Sequence, residues 1–162
     1  MHFHHALLVE ATDEDEAKSA AESFLEPYGE GNVWDWYATT ESDRFAFDLG
    51  KNKTAFTVNA ENPKFFDIIK THEGYGDNEL KRLEEMLKNK YETLAVMLFN
   101  TTDSMDLYYI KKWAELKSGD IYNGDSYFYD TVGYCSHLTD DRKKEILKNP
   151  KGYWLVSCDL HN

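Results

Sequence analysis

The chain opens and closes on β-forming segments whose alternation matches, and this pairing limits its fold more than any other feature. Phe3 to Ala11 and Tyr153 to Leu160 are rich in aliphatic and aromatic residues, which suit a pleated, half-buried surface. Side chains alternate across a strand. Phe3, His5, Leu7 and Val9 therefore share one face of the first segment, and His2, His4, Ala6 and Leu8 share the other. In the last segment Trp154, Val156, Cys158 and Leu160 form the apolar set, while Tyr153, Leu155, Ser157, Asp159 and His161 form the mixed set. If the two segments are antiparallel neighbours and both apolar sets face one core, then His2, His4, Asp159 and His161 converge at one corner of the sheet.

Between these ends, Thr12 is expected to cap a helix with acidic residues in its first turn, running over Ala17, Ala20, Ala21, Phe24 and Leu25 until Pro27 and Gly29 stop it. Val33 to Thr40 and Arg44 to Leu49 read as strands. Asp77 is expected to cap a second helix with its apolar stripe on Leu80, Leu83, Met86, Leu87, Tyr91 and Leu94. Leu94 to Phe99 fits either a continuation of that helix or a buried strand. A further helix opens at Asp103 or Ser104 and ends at Gly119. Ser126 to Cys135 is β-rich, with a bulge or bend at Gly133, and a short helix begins at Thr139 and Asp140. The order predicts a single α+β domain, residues 1–162, on a ferredoxin-like antiparallel sheet, β-α-β-β then α-β, with a helical insertion over about residues 60–120.

A chain of 162 residues can bury one sizeable core, and 15% aromatic residues exclude a disordered class. Cys135 and Cys158 have no C-x-x-C spacing, so neither a disulfide framework nor a thiolate zinc site is signalled. The apolar run Ala6 to Val9 is too short for a leader core or a membrane span, so the expectation is a cytoplasmic protein with no membrane partner. A formal charge of −12 opposes direct nucleic-acid binding and leaves room for a basic protein partner; a homodimer is a separate option.

Two clusters carry candidate chemistry. His-x-His at His2 and His4 and Asp-x-His at Asp159 and His161 would each place two ligands on one strand face, the donor set of zinc or another borderline divalent ion. The plain alternative is ordinary polar residues at exposed strand ends. In Trp34-Asp35-Trp36-Tyr37, followed by Asp43-Arg44, one alternating pair packs and the other faces water or a ligand. Trp34, Asp35, Tyr37 and Arg44 are the candidate ligand-binding residues, with Tyr37 and Arg44 flanking a planar or anionic group. His137-Leu138-Thr139 has no second copy, as a paired His-x-Thr phosphoesterase would need, and reads as a loop and a cap. No phosphate loop, nucleophile elbow or H-E-x-x-H helix occurs, so no catalytic set is assigned.

Phe3-His4-His5-Ala6-Leu7-Leu8-Val9-Glu10-Ala11, Phe24-Leu25-Glu26-Pro27-Tyr28, Val33-Trp34-Asp35-Trp36-Tyr37 and Val156-Ser157-Cys158-Asp159-Leu160-His161 together cover about a third of the chain. In these segments it resembles a group of small uncharacterised phage and prophage proteins. That group follows its W-D-W-Y stretch with a Gly-Gly-Arg-Trp turn, whereas this chain has Glu41-Ser42-Asp43-Arg44-Phe45. The resemblance implies origin and fold, and carries no reaction with it. The leading expectation is a non-enzymatic phage or prophage accessory protein that binds a host protein or a small ligand, in antagonism of a host defence system. The alternatives are a metal-dependent hydrolase built on the His/Asp corner and a structural virion or assembly component.

Overall fold

A computed structural model describes residues 2–29, 36–39, 45–90, 104–118 and 128–161. Strand β1 (His2–Glu10) pairs antiparallel with β7 (Tyr153–His161) along its whole length, from His2 opposite His161 to Glu10 opposite Tyr153. The chain's two ends are thus hydrogen-bonded neighbours, as their alternation requires. The sheet is mixed rather than antiparallel throughout, because β1 pairs in parallel with β6 (Phe128–Asp130) on its other side. The free edge of β7 is shared by β2 (Trp36–Thr39) and β5 (Thr57–Asn59), both antiparallel to it. A separate hairpin joins β3 (Phe47–Gly50) to β4 (Lys53–Ala55). Its turn takes Gly50, Lys51 and Asn52 to positive φ.

The two sheet faces have different covers. Helix α1 (Glu14–Leu25) lays Ala17, Ala21 and Leu25 on the face formed by Leu7, Val9, Val156, Cys158 and Leu160. Its N-cap is Asp13 rather than Thr12: Asp13 accepts from the Glu16 amide at 2.9 Å, and Thr12 instead donates its hydroxyl and amide to the Glu16 carboxylate. The opposite face, with Ala6, Leu8, Phe128 and Leu155, is covered by α2 (Phe65–Lys90) and α4 (Asp140–Lys148) through Phe65, Ile68, Ile69 and Ile146. The far half of α2 packs against α3 (Ser104–Ser118) through Leu87 and Ile110.

Helix α2 begins twelve residues before the expected Asp77 cap. Asn62 turns the chain instead, accepting at its side chain from the Lys64 amide and at its carbonyl from the Phe65 amide, with Pro63 at the entry. The expected strand Ser126 to Cys135 is shorter among the described residues, ending at Asp130, and Gly133 lies in a turn rather than a bulge. The reason is Asp130, whose carboxylate accepts the Val132 and Gly133 amides and so curls the chain. Thr139 caps α4 as expected, accepting from the Arg142 amide. The Leu94–Phe99 run and Gly119 lie outside the described residues.

Candidate functional site

His2, His4, Ser157, Asp159 and His161 stand on one face at the corner where β1 starts and β7 ends, and their bonds run diagonally across the pair. The His2 Nδ1–H donates to both Asp159 carboxylate oxygens, at 2.9 and 3.1 Å, although Asp159 sits opposite His4 in register. His4 Nε2 lies 2.9 Å from the Ser157 hydroxyl, although Ser157 sits opposite Ala6. The ring of His161 meets His2 edge-on at 4.7 Å between centroids. The four expected residues thus share one corner, but their nitrogens are directed at different partners. Among the described residues, no three His, Cys, Asp or Glu side chains form a group that could hold a metal ion.

Sequence reasoning missed His72, which α2 delivers to the same place. Its Nε2 is 3.4 Å from His4 Nδ1, with the rings edge-to-face, and its Nδ1 lies 2.8 Å from the Ile68 carbonyl. A readable signal existed. Asn62-Pro63 is a turn pair just ahead of the helix, and Phe65, Ile68, Ile69 and His72 then recur at the spacing of one helix face.

Aromatic rings wall the pair: Phe45 stacks on His4 at 5.0 Å between centroids, and Phe47 lies within 5.6 Å of both imidazoles. Burial pulls the pKa of His4 down to about 4, with the neighbouring His72 adding to the effect and Asp159 opposing it. Burial also lowers His72 against its bond to Ile68. Both rings are neutral at pH 7. They form the floor of a cleft of about 390 Å³ between the β3 hairpin and α2, lined also by Phe47, Asp48, Lys64, Asp67 and Thr71.

Of the expected ligand-binding set, Trp34, Asp35 and Arg44 lie outside the described residues. Tyr37 packs with the α1 face of the sheet, its ring so close over Gly29 that a Cβ there would come within 2.8 Å of it. It is therefore across the sheet from the imidazoles. Trp36 takes the other face and stands edge-on to His2, half exposed.

The nucleophile candidates are disarmed. Cys158 is fully buried, and desolvation pushes its thiol well above the ordinary range. Cys135 is raised by the same cause. Ser157 is buried and donates its hydroxyl proton to the Phe45 carbonyl. No protein-family model matches the chain, and no curated protein or solved structure matches it either. No helix among the described residues is long and apolar enough to cross a membrane.

Proposed function

We propose that the chain works by binding: a cytoplasmic accessory protein of phage or prophage origin that holds a small polar ligand in the cleft above His4 and His72. The observation that supports this reading is the pairing of that cleft with inert nucleophiles. Its floor is neutral and aromatic, its rim carries Lys64 beside Asp67 and Asp48, and neither cysteine nor Ser157 is placed to attack a bound group. Such a mixture of apolar wall and a few polar groups suits recognition. The sheet fits a derivative of the ferredoxin-like arrangement, with its paired termini and a β1-α1-β2 crossover spanning β7 as support, and the parallel β6 as the departure.

Equilibrium dialysis of the purified chain against a bacterial metabolite extract, read by mass spectrometry, tests the reading. One compound class should concentrate with the protein, and Thr71→Trp, which fills the cleft mouth, should abolish the enrichment. A chain that enriches nothing, or does so equally with the cleft filled, refutes it.

A further inference from the structure

The cleft over His4 continues beyond the hairpin. A second hollow of about 460 Å³ adjoins it along α2, with Asp67 and Thr71 in the wall of both, and runs on past Lys70 and Gly74 to Asn78. Gly74 stands in the interior of α2, where glycine is among the least favourable residues. Nothing in the fold requires it there. Among the described residues no atom lies within 4 Å of the place its Cβ would take. A side chain omitted at a cost to the helix, with no neighbour that needs its absence, leaves room for the close approach of something outside the chain.

We propose that the cleft and the trough beside Gly74 form one channel for an extended peptide segment, whose backbone passes over Gly74 and one of whose side chains enters the cleft. From Asp67 to Asn78 the trough follows α2 for about 16 Å, which an extended strand spans in about five residues. Its charges balance, Lys64 and Lys70 against Asp48 and Asp67. A peptide backbone, uncharged and alternately donor and acceptor, suits such a wall. Thr71 spends its hydroxyl proton on the Asp67 carbonyl, so its oxygen is left to accept, while the exposed Asn78 amide can do both. A chain of sugars would stack on open aromatic faces, and the rings here, Phe47 and His72, are 1% and 5% exposed. A nucleic-acid strand is opposed by the net charge of −12. This occupant rests on the cleft being a binding site, as proposed above, and specifies its ligand.

The test selects a yeast-displayed library of random peptides against the full chain, then titrates the winning sequence as a synthetic peptide by fluorescence polarisation. Wild type should enrich a consensus spanning about five positions. Gly74→Trp, which blocks the trough, should weaken the synthetic peptide at least tenfold, and Lys148→Trp, a bulky residue on the exposed face of α4, should leave it unchanged. A second measurement asks why the glycine is there. Gly74→Ala should raise the melting temperature, because alanine favours the helix and its Cβ meets open space. Selection of no consensus, binding undiminished by Gly74→Trp, equal weakening by both Trp variants, or a lower melting temperature for Gly74→Ala would each overturn the proposal. A chain that concentrates a metabolite in dialysis but selects no peptide keeps the cleft as a binding site and loses only its peptide ligand; one that does neither loses both.

Discussion

The two ends of β1 hold their polar residues in opposite ways. Where the strand finishes, Arg142 of α4 reaches in and bonds Asp130, Glu10 and Glu145, with its guanidinium 5.1 Å over the Tyr153 ring. Burial works against its charge, but the bonds to Asp130, Glu145 and Glu10 outweigh that and hold its pKa above the ordinary value. Asp130 is 0% exposed, and its remaining acceptor capacity goes to the Val132 and Gly133 amides. Each hydrogen bond of Asp130 and Arg142 described there joins a donor to an acceptor, so the knot is closed and structural. Where the strand starts, two neutral imidazoles, His4 and His72, meet edge-to-face beside a cleft, with the Asp159 carboxylate held by His2 next to them. The closed end binds its charges for stability, whereas the open end buries uncharged rings at the wall of a cleft.

Breaking the closed end should have the largest effect. Arg142→Met leaves the Asp130 carboxylate buried without its cation, and loss of one partner of such a pair costs about 3–5 kcal/mol. The urea midpoint should fall accordingly, and Asp130→Asn in the same chain should restore part of the loss, because the stranded charge is then gone. Equal losses in the single and double variants would show that the knot acts through packing instead.

Acid should single out the imidazole end. His4 ordinarily titrates at 6.5 but at about 4 in the fold, so between those values the unfolded chain binds a proton that the folded chain refuses. Its contribution to stability is therefore intact above pH 6.5 and lost as the pH falls toward 4, by at most about 3 kcal/mol. His72 and Asp159 face His4 directly, and Asp48, Lys64 and Asp67 line the same cleft, so carboxylates add their own acid dependence. The diagnostic is the difference between wild type and His4→Phe. The variant should show the shallower loss over that range, and identical slopes would remove His4 as the cause.

The terminal pairing was legible because a strand's period of two leaves no choice once one face is apolar, and Leu7, Val9, Val156 and Leu160 mark that face. The same alternation placed His2, His4, Asp159 and His161 on one corner. It could not show which nitrogen meets which partner, since the diagonal contacts follow from sheet twist and side-chain reach. His72 was hidden behind the start of α2. Asp77, a good capping residue, drew the expected start into the helix interior, while the true start at Phe65 follows the turn at Asn62. Arg142 was hidden for another reason: its partners Glu10 and Asp130 lie 132 and 12 residues away, and only the assembled sheet brings them together.

The smallest expected effect asks whether the closed end is one cooperative unit. Thr139 caps α4 by accepting from the amide of Arg142 itself, 3.2 Å away, so one residue joins the helix start to the charge knot. Thr139→Ala removes that acceptor and should cost about 1 kcal/mol, the ordinary value of a lost N-cap. If the cap's role includes holding the Arg142 backbone in place for its three carboxylates, the same substitution in Arg142→Met should cost measurably less, because nothing is left to hold. A double-mutant cycle by urea denaturation reads this directly. A cost unchanged by Arg142→Met would make the cap a local helix feature, and would confine the closed end to the guanidinium and the acids around it.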